Sequence, residues 1–307
     1  MLAVIIVSWN TKELLRDSLL SVLADARASA LDTEIWVVDN ASSDGTPQMV
    51  RDEFPQVKLI AAETNLGFAA GNNAALRAMG FPAQIDSQPD AVLLLNPDTI
   101  VKPGALRAMF DFLLAEPSVG IVGANLQFGD GSFQHGAYAF PGLWQLAIEL
   151  LPLPGRLYES RLNGRYPIEW YERGEPFPID HPLGAAMMVQ AEAIRQAGLL
   201  DEGYRMYVEE VDWAWRIKAQ GWAAYCVPSA HIVHFGGQST GQVRTESFLN
   251  LWRSRARFYR LRYRGWKLAL ARQIVRRGMA RTARQYPELA DACRRVEEIW
   301  QSSRITE

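Results

Sequence analysis

The chain has 307 residues, 49% hydrophobic and 21% charged, with a formal net charge of −2. That balance describes a globular protein and excludes a disordered or fibrous one, and it offers no global field to nucleic acid. The two cysteines, Cys226 and Cys293, stand far apart, which argues against a disulfide framework and for a reducing, cytoplasmic setting.

The apolar opening Met1–Asn10 has neither a basic leader nor a small-residue cleavage site, so it reads as a strand and not as a signal peptide. Ala3–Ser8 is a β-branched run of the kind buried on both faces of a sheet. Ser8-Trp9-Asn10-Thr11 turns into Lys12–Leu23, where Leu15, Leu19 and Leu23 recur at helical spacing. Glu34–Asp39 is a second buried strand. It empties into the polar loop Asp39–Gly45, in which Asp44 reads as a turn former. Thr46-Pro47 suits a helix start with proline in the first position. The opening is therefore β-α-β-α. It predicts a parallel sheet whose right-handed crossovers put these loops on one edge.

Val57–Ala61 predicts a third strand, leading to Asn65–Asn73. Glycines and asparagines around Phe68 let backbone approach a ligand there, and the same pattern serves simple capping of a helix over Ala69–Met79. No Gly-x-Gly-x-x-Gly follows the first strand and no Walker lysine motif occurs, so dinucleotide and P-loop readings are excluded.

Ala91–Leu95 is the next core strand. It ends in Asn96-Pro97-Asp98, where Pro97 has no N–H to pair. This sets the Asp98 carboxylate at the carboxyl end of a core strand, where open α/β sheets keep their ligands. A lone carboxylate there suits a hard divalent cation accompanied by phosphates. A plain turn and cap would use the same residue types. Lys102-Pro103-Gly104 precedes a helix over Ala105–Ala115, and Val119–Val122 is another strand. Residues 130–180, rich in proline, glycine, aromatics and arginine, read as an insertion or lid with a short helix at Leu143–Leu151. His135 and His181, in or beside it, receive no role.

Pro182–Val189 is a strand entered through Gly184, and Ala191–Ala197 is a short helix. Glu209–Arg216 is a helix with acids in its first turn, where the macrodipole favours them. Trp222–Val227 is a strand, followed by His231 and His234 at a spacing that need not share a face. From Arg253 to Arg284 there are twelve Lys or Arg and no acid. Phe248, Trp252, Tyr259, Tyr263 and Trp266 fall on roughly one helical face of this tail. Such a helix either lies on an anionic membrane surface or packs its aromatics on the core and solvates its arginines.

Asp39, Asp98, Glu210 and His234 thus each sit at a strand end or helix start on one sheet edge. The segments Val4–Asn10, Val37–Thr46, Asn65–Asn72, Leu94–Thr99, Gly184–Val189, Asp201–Trp213 and His234–Ser239 together resemble the family 2 glycosyltransferases with the GT-A fold, in the bacterial rhamnosyltransferase-like branch. The resemblance spans about residues 3–240 and rests on the order and spacing of these pieces. It implies an α/β GT-A domain over residues 1–245, Rossmann-like with a mostly parallel sheet flanked by helices, and a basic, aromatic helical extension over 246–307.

It further implies an inverting, metal-assisted transfer of a sugar from a dTDP- or UDP-sugar to a saccharide or lipid-linked saccharide hydroxyl. L-Rhamnose is the sugar that the branch points to, and UDP-sugars stay open. Asp39 would hold the donor's base or ribose. Ser8, Trp9 and Asn10, with Asn65, Gly67 and Asn72, would wall the nucleotide pocket. Asn96 and Gly184 would also line the donor site. Asp98 would bind Mg²⁺ or Mn²⁺, with His234 as a further ligand or pyrophosphate contact. Glu210 aligns with the general base, with Asp212 and Glu209 as alternatives; Asp212 could instead orient Arg216 four residues on.

The chemistry supports such roles independently. A divalent ion neutralises a leaving diphosphate, and a sugar hydroxyl needs a carboxylate to take its proton. One base suffices for single displacement with inversion, whereas a covalent route to retention needs a second nucleophile. Asn96 in place of an acid removes one carboxylate ligand. A nucleotidyltransferase and a non-catalytic sugar-nucleotide-binding protein are the alternative readings. The first lacks its Gly-rich basic loop after the first strand, and the second draws on the Asn96 and Glu210 departures. Cytoplasmic location with peripheral contact at the inner membrane face through the tail is expected, and nucleic acid is not.

Overall fold

The structure, a computed structural model, describes residues 1–85, 87–236 and 244–302. The order begins β1 (Leu2–Ser8), α1 (Lys12–Ala28), β2 (Thr33–Asp39), α2 (Thr46–Glu53), β3 (Lys58–Ala61), α3 (Gly67–Ala78), β4 (Ala91–Leu95). It continues β5 (Thr99–Val101), α4 (Ala105–Ala115), β6 (Val119–Gln127), β7 (Phe133–Gln134), β8 (Ala137–Tyr138), α5 (Leu143–Leu150), α6 (Ile168–Glu172), β9 (Phe177–Ile179). Then come β10 (His181–Pro182), β11 (Ala186–Gln190), α7 (Ala191–Ala197), α8 (Glu209–Ala219), β12 (Ala223–His234), α9 (Arg244–Arg262), α10 (Trp266–Gln285) and α11 (Ala290–Gln301).

The sheet runs β3-β2-β1-β4-β11-β6-β12-β5. β3, β2, β1, β4, β6 and β12 point one way and β11 and β5 the other, so the sheet is mixed but mostly parallel. Successive residues of the central strands face opposite sides. Val4, Ile6, Leu93 and Leu95 pack under α1, α2 and α4, while Ala3, Ile5, Val92 and Leu94 pack against α3, α7 and α8. Burial of each such aliphatic side chain stabilises the fold by roughly 1.5–3 kcal/mol. A third cluster ties α5 and the start of α8 to α9, α10 and α11. The expected domain boundary at 245/246 falls at the first residues of α9, next to residues outside those described.

Two readings need correction, and one strand was not expected. Thr99–Val101 forms β5, a strand too short to show a pattern of its own. The strand expected to stop at Val227 runs on to His234, passing Pro228 through a register shift between Val227 and His231. A missing N–H is tolerated at such an irregularity. Trp266 does not share the aromatic face of the tail: it opens α10 and is exposed, whereas Trp252 and Tyr259 are buried. Within the segment 130–180 the short helix expected at Leu143–Leu151 is α5. Tyr166, Tyr171 and Phe177 bury themselves against the second face of the sheet.

Candidate active site

The continuation of β12 past Pro228 creates the site. His234 pairs with Thr99 in β5, one residue beyond Asp98, and the Phe235 N–H donates to the Asp98 carbonyl at 3.0 Å. His234 Nε2 therefore stands 3.5 Å from Asp98 Oδ1, with both side chains nearly buried. Asn96 is held from the other side, its N–H donating to the Ala185 carbonyl at 2.9 Å. The chain thus carries Asn96-Pro97-Asp98 across the strand ends between β4 and β5.

One cavity at this edge is lined by Ser8, Trp9, Asn65, Gly67, Asn96, Asp98, Gly184, Glu210 and His234 among the expected residues. Asn10, Asp39, Asn72 and Asp212 do not line it. Asn10 is in the left-handed region and stitches two loops, its Oδ1 accepting the Ser43 N–H at 2.8 Å. Ser8 lies behind the same turn, with its hydroxyl 2.9 Å from that of Thr11. Asp44 behaves as a turn former, its carboxylate accepting the backbone N–H groups of Lys12 and Thr46. Asp39 sits directly behind the wall. Its Oδ2 accepts the Ser42 N–H at 2.9 Å, and its Oδ1 is buried without a hydrogen-bond partner among the described residues.

Asn65 both lines the cavity and accepts the Gly67 N–H through Oδ1 at 2.9 Å, whereas Asn72 turns back to the Phe68 carbonyl at 2.9 Å. Gly67 has φ of +82°, and a Cβ there would fall 2.4 Å from the Arg205 carbonyl oxygen. Only glycine allows this approach of the Asn65 loop to the 201–208 segment. Asn40, which sequence reasoning passed over, donates from Nδ2 to the Gly67 carbonyl at 3.1 Å while its buried Oδ1 has no partner among the described residues. Its signal was its place beside Asp39 in the same polar turn.

The acids at the start of α8 also reach the cavity. Tyr207 and Val208, at φ of +69° and +70°, turn the chain sharply into the helix. Such angles are costly for a β-branched residue and occur where surrounding packing enforces them. The Ser254 hydroxyl supplies part of that support, donating to the Met206 carbonyl at 2.8 Å. Glu209 and Glu210 then both line the cavity. Glu210 lies against Gly184, whose lack of a Cβ leaves room for its carboxyl. Burial raises the Glu210 pKa, partly offset by backbone N–H groups including those of Val211 and Gly184. Glu209 is pushed well above the ordinary carboxyl range, first by burial and then by the Glu210 charge, and its Oε2 has no partner among the described residues. Asp212 faces the other way. It is 1% exposed and forms ion pairs with Arg216 at 2.9 Å and with Arg262 of α9.

The donor set can be tested for a divalent cation. His234 Nδ1 stands 3.2 Å from Gln134 Oε1 and Nε2 3.3 Å from Asn96 Nδ2. In the tautomer whose Nδ1–H donates to Gln134 Oε1, Nε2 carries the lone pair, the arrangement that suits a metal-binding imidazole. With Asp98 this gives one carboxylate and one imidazole facing the same cavity. Among the described residues no group of three His, Cys, Asp or Glu could hold an ion alone. The set fits a cation that keeps oxygen ligands from a diphosphate and water. Gln134, on β7 of the insertion, was not legible in the sequence. His231 is exposed on the same strand and stands outside the site.

Comparison with known proteins gives a consistent result. The family model described as Glycosyl transferase family 2 matches residues 3–191. An N-acetylglucosaminyl-diphospho-decaprenol L-rhamnosyltransferase of Mycobacterium tuberculosis is 30% identical over 258 residues, covering 82% of this chain and 83% of the relative. A low-salt glycan biosynthesis hexosyltransferase, Agl10, of Haloferax volcanii is 25% identical over 221 residues, covering 71% and 62%. GalNAc-T7, solved with UDP, GalNAc and Mn²⁺, superposes with a TM-score of 0.61 at 15% identity, covering 95% of this chain, which spans 54% of its length. The mannosyltransferase PcManGT of Pyrobaculum calidifontis, solved with GDP-Man and Mn²⁺, gives 0.56 at 15% identity, covering 97% and 83%. The fold is that of the GT-A glycosyltransferases.

Proposed function

This chain belongs to glycosyl transferase family 2, and from that premise we propose that it moves L-rhamnose from a dTDP-linked donor onto a hydroxyl of a saccharide carried on a lipid diphosphate, with inversion. The observation that carries this reading is the shared cavity. Asp98, His234 and Glu210 line it together with Ser8, Trp9, Asn65 and Gly67. The choice of sugar and acceptor draws on the mycobacterial relative.

Asp98 and His234 would hold the divalent cation, which when bound neutralises charge developing on the leaving nucleoside diphosphate. Asn96 stays within reach of the same diphosphate through its amide. Asn40 on the cavity wall and Asp39 behind it each have a buried Oδ1 with no partner among the described residues, and these are the acceptors we assign to the donor's base or ribose. Glu210 accepts the proton of the acceptor hydroxyl as its oxygen bonds to the sugar's anomeric carbon and the bond to the diphosphate breaks. The proton ends on the Glu210 carboxyl. A buried carboxylate whose pKa is raised is a stronger base than a solvated one. Burial and the Glu210 charge push Glu209 up further than burial pushes Glu210, so Glu210 is the member of the pair that gives up its proton more readily.

The test is release of free nucleoside diphosphate from dTDP-L-rhamnose and a panel of UDP-sugars, with an N-acetylglucosaminyl-diphospho-lipid acceptor, in Mn²⁺, Mg²⁺ or EDTA. Release from dTDP-L-rhamnose, lost in EDTA, with an inverted product by NMR, is the expected outcome. Release from no donor overturns the enzymatic reading, and equal rates in EDTA overturn the roles of Asp98 and His234.

A further inference from the structure

The cationic tail resolves into partnered and unpartnered charges. On α9, Arg253, Arg255, Arg257 and Arg262 each pair with an acid: Glu246, Glu149, Asp201 and Asp212. On α10 the pattern is different. Among the described residues, Arg264, just before it, and Arg276, Arg277, Arg281 and Arg284 within it have no acidic partner. All five are exposed.

The exposed face of α10 is ordered along its length. Trp266, Leu270, Gln273, Arg277, Arg281 and Arg284 recur at steps of three or four residues, so they form one stripe. The opposite side, with Ala271, Ile274, Val275 and Met279, is buried in the cluster that holds α5 and α11. The stripe begins apolar and ends cationic. Trp266 is 68% exposed and Leu270 43%. Leu261, at the end of α9, is exposed nearby in sequence. A second tryptophan joins them: Trp144, on α5, is 61% exposed. The segments that carry the two tryptophans are joined by the Tyr263 hydroxyl, which donates to the Pro141 carbonyl at 2.6 Å. Each exposed tryptophan lies three residues along the chain from that contact, Trp144 at the start of α5 and Trp266 at the start of α10.

We propose that this face, with Trp144, Trp266 and Leu270 as apolar anchors and Arg264, Lys267, Arg277, Arg281 and Arg284 around and behind them, docks the protein on an anionic phospholipid surface. Tryptophan beside basic side chains is the composition that settles at a headgroup boundary, and unpartnered cations without intervening acids match its charge. A second copy using the same face would set these cations against their equals, which disfavours self-association there. The surface rests on the charge and shape of α10, independently of the donor reading. It would bring the catalytic cavity, braced by α9 through Ser254 and Arg257, to a lipid-borne acceptor.

The experiment is flotation of the full chain with phosphatidylcholine vesicles, with and without phosphatidylglycerol, at low and high salt. Binding should require phosphatidylglycerol and be released by salt. Each cation removed should weaken partition roughly fivefold, so the triple variant Arg277→Gln, Arg281→Gln, Arg284→Gln should bind on the order of 100-fold less. The pair Trp144→Ser, Trp266→Ser should also weaken binding. All five side chains are solvent-facing, so circular dichroism and nucleoside diphosphate release with a water-soluble acceptor should match the parent chain. No binding, binding indifferent to lipid charge, or binding unchanged in both variants overturns the proposal. So does a concentration-dependent dimer that the same substitutions abolish, which would assign the face to a second copy.

Discussion

Replacing Gly184 with alanine should slow turnover without emptying the donor site. The residue is not in the left-handed region, so alanine meets no backbone penalty there. The added Cβ would stand 3.3 Å from Cγ and 3.4 Å from Cδ of Glu210. Ordinary contact between such carbons begins near 3.5 Å, so the carboxyl must retreat by a few tenths of an ångström. Misplacing a reacting group by about 1 Å costs on the order of 100-fold. A displacement of roughly a third of that should lower kcat by about 5- to 10-fold. The overpacking itself should cost about 1 kcal/mol of stability, at the low end for such changes because one neighbour is a side-chain terminus. The assay is nucleoside diphosphate release under saturating donor, paired with thermal shift by the free nucleoside diphosphate. Turnover within about twofold of the parent would refute a base at Glu210 placed by contact with Gly184. Loss of nucleotide-induced stabilisation would show that the methyl acts on the donor pocket instead.

Asp98→Asn should reduce kcat/KM by roughly 100-fold or more and abolish the Mn²⁺-dependent part of nucleoside diphosphate stabilisation in a thermal-shift titration. Gln134→Ala, which frees the His234 ring, should weaken apparent Mn²⁺ affinity by about 10-fold with the fold intact; an unchanged Mn²⁺ titration would separate Gln134 from the metal. Asp212→Ala leaves two arginines facing a vacated carboxylate position, and should cost about 3 kcal/mol in urea unfolding while donor KM is kept. Loss of turnover in Asp212→Asn at unchanged stability would instead make Asp212 the base. Glu209→Gln tests the buried pair. Because the folded pKa of Glu209 is raised, the wild type loses stability as pH climbs from the ordinary glutamate pKa to that raised value. The loss is about 1.4 kcal/mol for each pH unit the window spans. The variant should therefore gain Tm over the wild type as pH rises through that window and gain nothing below it, and parallel Tm–pH curves would contradict a proton held on Glu209.

The strands were legible where burial on two faces writes an unbroken apolar run, as in Leu93-Leu94-Leu95 before Asn96-Pro97-Asp98. The family was legible because polar turns follow those runs at a regular spacing. What escaped the reading depended on partners distant in sequence. β5 exists because β12 continues beyond Pro228 and pairs with it, and no local pattern in Thr99–Val101 announces this. Gln134 reaches His234 only because the insertion folds back as β7 against β6. Asn40 and Asn72 looked alike in sequence, yet one faces the cavity and the other donates back to a carbonyl of its own helix. Asp212 and Glu210 differ by two positions, which on a helix are on opposed sides. Periodicity could separate them but could not say which side held the cavity. The tail's cations could be counted but not sorted, since pairing of Arg257 with Asp201 and of Arg262 with Asp212 requires the folded chain.

The most direct test of the site is Glu210→Gln measured on two axes in the same preparation. One axis is turnover of nucleotide-sugar donor with acceptor; the other is thermal stabilisation by donor in Mn²⁺. A general base at Glu210 predicts turnover reduced by about 100- to 10,000-fold with donor stabilisation retained. Turnover near that of the parent chain would contradict it.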